Sequence, residues 1–527
     1  MKRIRILDCT LRDGGYCNKW TFGQKHIRQI IQGLYEADID IVECGFLTNR
    51  VSYDSDVSKY TSVSQISEFL PEKRENKLYV AMINYGEYNI DELPQYDGTS
   101  IDGIRLAFHK KNAKAAMEIC REIKNKGYKV FIQAMVSMSY SDDEFLELIR
   151  DANSFNPYAF YIVDSFGMMN GQTLTRLFYM IEHNLNEEIL IGFHSHNNMQ
   201  LAFSNAQRFV SIQTNRKLVV DTSVFGMGRG AGNLNTELFV EYLNSITESR
   251  YDIKPLLNII DEILNSFYQK NYWGYSLPNY LSAKHNIHPN YAGYLNDKNT
   301  LTVEDINEIF SMMDPERSVE YEKDYIEDIY FRYMEKDQIQ DSHLSELRNA
   351  ISGKTVLLVA PGKSSIEESD LIKKTSEDPE VVLISVNHAY QAASPDYMFV
   401  SNLRRFSKLN QELKNKCIIT SNITSDSIYL QVKYKDLLNS TEMVKDNAGL
   451  MCIKFLISLG VKKIMLAGFD GYSHDMEKNY AQRDMEYVSR AAILDAMNEG
   501  MQTVLNEFST VVPIEFLTTE KYVHIGG

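Results

Sequence analysis

Leu190-Ile191-Gly192-Phe193-His194-Ser195-His196-Asn197 begins as a short apolar run and ends on two histidines separated by one residue. The apolar part has the length and composition of a buried strand. It is the seventh of eight such runs in the first half of the chain. The others are Ile4 to Asp8, Ile39 to Cys44, Leu78 to Ile83, Gly103 to Ala107, Lys129 to Met135, Ala159 to Val163 and Leu218 to Ser223. One-sided apolar patterns of helical period lie between them, at Gln24 to Ala37, Asn112 to Lys126, Asp142 to Asn153, Gln172 to Asn184, Met199 to Ser211 and Thr236 to Ile246. Strand-helix units recurring at roughly 25 to 40 residues build parallel sheets, and eight of them predict a (β/α)8 TIM barrel over residues 1–250. Its functional groups belong at the C-terminal ends of the strands.

The 527 residues leave room for more than this barrel. From Tyr251 the pattern turns helical, so residues 251–350 read as an all-α extension and linker that ends in the polar stretch 335–341. A fresh apolar strand at Thr355 to Ala360 opens a second, Rossmann-like α/β domain over 351–527. Its expected strands are Val356 to Val359, Val381 to Val386, Tyr397 to Ser401, Cys417 to Thr420 and Lys463 to Ala467, with helices at Asn447 to Leu459 and Met485 to Phe508. A net charge of −16 argues against nucleic acid or an anionic membrane surface as the main partner. No apolar stretch is long enough for a membrane span. Asp8 interrupts the first apolar run too early for a signal peptide, so a cytoplasmic protein is expected. The six cysteines are scattered without a C-x-x-C pair, which leaves a zinc knuckle or disulfide framework without support.

Three segments bring chemistry to the expected barrel mouth. Strand one runs into Asp8-Cys9-Thr10-Leu11-Arg12-Asp13-Gly14-Gly15, which delivers a cation and a carboxylate. At the end of strand seven, alternation puts His194 and His196 on one side, where two imidazoles can grip one divalent ion. Strand eight leads into Gly226-Met227-Gly228-Arg229-Gly230-Ala231-Gly232-Asn233, whose small residues allow close backbone approach. Ala231 breaks the G-x-G-x-x-G spacing, so this is no dinucleotide fingerprint.

Together with Val42-Glu43-x-Gly45-Phe46 and Val163-Asp164-Ser165-x-Gly167, these segments resemble the metallolyase barrels that include 4-hydroxy-2-oxovalerate aldolase, 3-hydroxy-3-methylglutaryl-CoA lyase and isopropylmalate synthase. Gly103 to His109 and Gly274-Tyr275-Ser276 resemble the aldolase branch. The resemblance implies metal ligation by Asp13, His194 and His196, with Asn233 as a further ligand or a group just behind the ligands, and Glu43 behind them too. Arg12 would sit beside the substrate keto oxygen, Ser165 would hold the carboxylate end, and Tyr275 would donate a proton or position the substrate. Where the aldolases carry a histidine base two residues after the glycine of Arg-Asp-Gly, this chain has Tyr16, a phenol that ordinarily titrates near about pH 10 and is a poorer base. The expected cofactor is Mn2+, with Mg2+ as the alternative and Zn2+ and Fe2+ left open. The expected partners are a 2-oxo acid and an aldehyde, and the resemblance adds a homo-oligomer.

In the second domain, Val356-Leu357-Leu358-Val359-Ala360-Pro361-Gly362-Lys363-Ser364 is a strand entering a small-residue turn whose amides could receive a phosphate, although it is not a Walker A sequence. With Ser385-Val386-Asn387-His388, Asp446-Asn447-Ala448-Gly449 and Leu466-Ala467-Gly468-Phe469-Asp470, it is similar to sialyltransferase-like domains. That resemblance implies a nucleotide-sugar pocket with Gly362, Ser364, Asn387 and Asp470. His474 reads either as a base for transfer to a sugar hydroxyl or as a surface histidine. The leading expectation is a metal-dependent aldolase acting on a 4-hydroxy-2-oxo acid through a pyruvate enolate, in glycan precursor synthesis. Two alternatives stand beside it: acyl-CoA Claisen chemistry of the same family, and a non-catalytic metal-binding barrel carrying an active glycosyltransferase-like domain.

Overall fold

The computed structural model describes residues 4–71, 77–248, 250–298, 301–335, 343–425, 427–481 and 491–522. Eight parallel strands close into a barrel: β1 (Ile4–Asp8), β2 (Ile41–Leu47), β3 (Leu78–Asn84), β4 (Gly103–Phe108), β5 (Lys129–Ala134), β6 (Ala159–Asp164), β7 (Leu190–Ser195) and β8 (Leu218–Thr222). Each pairs with its sequence neighbour, and β1 pairs with both β2 and β8, which completes the ring. The helices α1 (Gln24–Glu36), α2 (Ala113–Asn125), α3 (Asp142–Asn153), α4 (Gly171–Asn184), α5 (Ala202–Ser211) and α6 (Thr236–Ile246) lie outside. Among the described residues, β2 is followed by the two-residue strand Lys59–Tyr60, which pairs with it, and the short helix Val63–Ser67, and β3 by a 3-10 turn at Ile90–Glu92.

Alternation along the strands divides the buried side chains into two sets. Ile6, Val42, Ala81, Ile104, Ile132, Ile162 and Phe193 join the apolar helix faces in one large cluster. Leu7, Ile41, Val80, Phe131, Ala159, Leu190 and Val219 form a separate inner cluster with Tyr161 and Val163. Moving two residues onward from several of these reaches charged or polar groups on the same side: Ile41 leads to Glu43, Val219 to Asp221, and Leu190 through Gly192 to His194. The barrel interior is therefore apolar toward the strand N-termini and charged toward the C-termini. Gly192 is required here, because a Cβ would lie 2.4 Å from the Tyr161 ring.

The chain divides into two compact units, Met1–Gly293 with Ser318–Tyr321 and Tyr294–Arg317 with Glu322–Gly527. The stretch expected as one helical extension is shared between them. Helix Leu277–Lys284 falls in the first unit, whereas helices Val303–Ser311 and Lys323–Met334 fall in the second. Within the second unit, Tyr330 donates to Asp446 at 2.6 Å, and Ile326 and Ile329 are buried, which ties Lys323–Met334 to that body. Of the polar linker, residues 336–341 lie outside the described residues.

The second unit holds a seven-stranded parallel sheet, β9 (Thr355–Val359), β10 (Val381–Val386), β11 (Tyr397–Val400), β12 (Cys417–Thr420), β13 (Leu430–Val432), β14 (Lys463–Ala467) and β15 (Ile514–Phe516). The spatial order is β13-β12-β11-β10-β9-β14-β15, a doubly wound arrangement whose direction reverses between β9 and β14. β13 and β15 were not foreseen because three residues are too few to display a period. Helix α7 (Ala448–Leu459) is capped by Asn447, which accepts from Gly449 N and Leu450 N. Helix α8 spans Ala491–Ser509, and the part of it expected at 485–490 lies outside the described residues.

Candidate metal centre and active site

After β1 the chain turns tightly, with Arg12 N and Asp13 N both donating to Cys9 O, and this aims Arg12 and Asp13 into the barrel mouth. Arg12 donates through Nε to Glu43 Oε2 at 2.9 Å and through Nη1 to Asp13 Oδ1 at 2.6 Å. Its partners outweigh the burial that opposes charge, so the guanidinium pKa is raised well above its ordinary value. Burial alone would raise Asp13, but Arg12, with His196 and His194, holds it well below the usual carboxylate range. A charged, proton-free Asp13 is the form a metal needs.

Asp13, His194 and His196 are all buried, and each offers a ligand atom within 4.8 Å of the others. His194 Nδ1 lies 2.9 Å from Asp221 Oδ2, and His196 Nδ1 lies 3.2 Å from Asp164 O. Both contacts suit donation from Nδ1, which leaves a lone pair on each Nε2. His196 Nε2 lies 3.3 Å from Asp13 Oδ2 but is buried without a hydrogen-bond partner. Burial pulls His194 down to about 4, so its ring is neutral near pH 7. Asn233 donates to Asp13 Oδ2 at 2.5 Å, and its own Oδ1 is buried and unpartnered. Two orphaned acceptors beside a charged carboxylate fit a divalent cation, and the nitrogen-oxygen set suits Mn2+, Mg2+, Zn2+ or Fe2+. Gly228 makes this packing possible, since a Cβ there would meet Asn233 Nδ2 at 2.1 Å and Asp13 Oδ2 at 2.9 Å.

A second row of charge supports the first. Arg105, fully buried, donates to Glu43 Oε2 at 2.7 Å and also bonds Asp221 Oδ2. It thereby links the carboxylate behind Arg12 to the carboxylate behind His194. Asp221 would be raised by burial, but Arg105 and His194 bring it below its usual value. The roles of Arg105 and Asp221 went unread in the sequence, although a charge inside an apolar strand run was the available signal.

Residues 3–263 match the HMGL-like family. The N-terminal half of this chain is HMGL-like. A 4-hydroxy-2-oxovalerate aldolase of Geobacillus genomosp. 3 is 28% identical over 270 residues, which is 50% of this chain and 78% of that protein. Another from Pseudoalteromonas translucida (strain TAC 125) is 24% identical over 266 residues, 50% of this chain and 76% of its own length. Among solved structures, the N-terminal domain of a Bacteroides vulgatus protein is 28% identical and has a TM-score of 0.47, covering 55% of this chain and 96% of that one. With this kinship the chain is an enzyme of the carbon-carbon lyase class.

Not every expected group joins the centre of the HMGL-like barrel. Ser165 is buried at the end of β6, and its Oγ accepts from Val136 N at 2.8 Å, leaving its proton free to donate. Val136 holds a left-handed conformation, φ 50°, that is rare for a β-branched residue. Tyr16 lies at the mouth, 37% exposed, edge-on to Trp20 at 4.7 Å. Burial raises its phenol above the usual value, which weakens it further as a base. Tyr275 is 56% exposed on the loop before helix Leu277–Lys284, and among the described residues it makes no hydrogen bond or ring contact with the cluster.

The second unit has its own cavity of about 540 Å³ at the reversal between β9 and β14. Gly362, Asn387 and Asp470 line it. Ser364 instead turns toward Asp470, donating through N at 2.8 Å and through its hydroxyl. The turn that could have received a phosphate therefore holds the protein's own carboxylate, whose pKa burial raises and these hydrogen bonds draw back. His474 is exposed and paired with Asp495 at 2.7 Å.

Proposed function

We propose that the barrel is a divalent-metal-dependent aldolase that cleaves or forms a 4-hydroxy-2-oxo acid, with pyruvate as one product or substrate. The observation that carries this reading is the buried set of Asp13, His194 and His196, with both Nδ1 atoms engaged and Arg12 alongside. A bound divalent cation, Mn2+ by preference, supplies Lewis-acid polarisation of the 2-oxo group. Arg12 keeps Nη2 for the keto oxygen, because Nε and Nη1 are committed to Glu43 and Asp13. As the C4 hydroxyl passes its proton to solvent water at the barrel mouth, the C3–C4 bond breaks, the aldehyde leaves, and the electron pair passes into the enolate that Arg12 stabilises, which then takes a proton at C3 to give pyruvate. Ser165 donates to the carboxylate. Tyr16 remains a phenol near neutrality and serves as a donor rather than a base.

The experiment is pyruvate release from 4-hydroxy-2-oxo acids by the Mn2+-loaded chain, followed through coupled NADH oxidation. Activity abolished by His194→Ala and by Asp13→Ala is the expected result. No pyruvate from any such acid, with metal bound, would overturn the reading.

For the second unit we infer a nucleotide-sugar site, as in sialyltransferase-like domains. The cavity supports it with aromatic walls at Phe469, Tyr472 and Tyr480 for a base, and with Asn387, Asn402 and Asn447 for hydroxyls. Failure of every nucleotide sugar tested to raise the melting temperature would remove it.

A further inference from the structure

Arg229 stands apart from the other cations at the barrel mouth. Arg12 is matched by Asp13 and Glu43, and Arg105 by Glu43 and Asp221. Arg229 has no carboxylate partner among the described residues. Its Nη1 lies 3.1 Å from His288 Nε2, its guanidinium sits over the Tyr16 ring at 5.2 Å, and its Nε is buried without any hydrogen bond. The Arg229–His288 contact cannot neutralise the charge, because burial, then Arg229 itself, His109 and His196, hold the His288 pKa well below its ordinary value. A half-buried guanidinium with an orphaned donor and no counter-ion is costly unless a ligand completes it.

Its place says which ligand. Arg229 follows Gly228, whose Cα is packed against Asp13 and Asn233, so the residue rises directly from the metal centre. It belongs to the loop after β8, on the face where the barrel strands end. The carboxylate and keto oxygen of a 2-oxo acid are already provided for by the metal ligands, Arg12 and Ser165. Arg229, reaching over Tyr16, is left for the opposite end of the substrate. In a chain of net charge −16, an uncompensated cation at that point also selects by attraction.

We propose that Arg229 binds a second anionic group, a carboxylate or a phosphate, on the aldehyde-derived end of the substrate, and so sets the enzyme's preference for anionic aldehydes. This rests on the aldolase reading, yet it can fail separately. A charge-assisted pair of this kind gives about a ten- to hundredfold preference.

The test compares matched partners in condensation with pyruvate by the Mn2+-loaded enzyme. Succinic semialdehyde against butanal forms the carboxylate arm, and glyceraldehyde 3-phosphate against glyceraldehyde the phosphate arm. A kcat/KM preference for the anionic member in one arm identifies the group. Arg229→Met, which keeps an apolar stem, should collapse that ratio toward one, and Arg229→Lys should restore part of it. Calorimetry provides a readout independent of turnover: 2-oxoadipate should bind the Mn2+-loaded wild type more tightly than 2-oxohexanoate, and Arg229→Met should erase the difference. If no aldehyde condenses and no 4-hydroxy-2-oxo acid is cleaved, the aldolase reading falls while the calorimetric preference still decides the role of Arg229. Wild type without preference in either arm or in calorimetry, or Arg229→Met weakening charged and neutral ligands equally, would overturn the proposal.

Discussion

Replacing Asp221 by asparagine isolates the charge behind His194, one of the proposed metal ligands. Asp221 accepts from His194 Nδ1 at 2.9 Å and is anchored by Arg105, and both sides of the contact are buried. Its lowered pKa keeps it ionised near neutrality, which makes the opposite nitrogen of His194 a better donor to a cation. Asparagine preserves the shape and an acceptor oxygen while removing the charge. Losing a carboxylate behind a ligating histidine costs roughly ten- to a hundredfold in metal affinity, or about 1.4 to 2.8 kcal/mol. The upper part of that range is expected here, because the pair is dry and Arg105 would retain only Glu43. The assay is a calorimetric Mn2+ titration near neutral pH, with the melting temperature of the metal-free variant as a control for folding. His194 is already neutral well above its pKa of about 4, so affinity should not depend on that ring between about pH 6 and 8. A folded Asp221→Asn chain that binds Mn2+ within about twofold of wild type would refute the view that this carboxylate serves the metal.

Arg105→Met should destabilise the barrel by about 3 to 5 kcal/mol, since Glu43 loses one of its two guanidinium partners among the described residues and Asp221 loses the guanidinium paired with it. Adding Glu43→Gln should recover part of that loss in urea unfolding, and full additivity of the two changes would argue against a shared network. In the second unit, burial pulls His388 down to about 4, and its Nε2 has no partner. The unfolded chain therefore takes up a proton below about pH 6.5 that the folded chain refuses, so stability falls as pH drops toward 4, by about 1.4 kcal/mol per unit over most of that window. His388→Phe should flatten this dependence in melting curves at pH 6.5, 5.5 and 4.5, and an unchanged slope would assign it to other groups.

The barrel and the pairing of two histidines at its mouth were legible because both are written in local periods. Apolar runs of strand length recur with helices between them, and the step of two from His194 to His196 places both rings at one strand end whatever the rest of the chain does. The short turn after β1 likewise carries Arg12 and Asp13 to the same mouth within five residues of the strand. No local pattern, however, could join Glu43 to Arg105 across 62 residues or Arg105 to Asp221 across 116. Nor could one place the Asp470 carboxylate on Ser364, 106 residues earlier, in the turn whose small residues suit a phosphate. The same holds for Arg229, whose lack of a carboxylate partner is visible only once the neighbouring acids are seen paired with other cations. Periodicity is a property of consecutive residues and survives in the sequence. Charge pairing and competition for a buried site are settled only when chain closure brings distant groups within a few ångströms in a medium of low polarity.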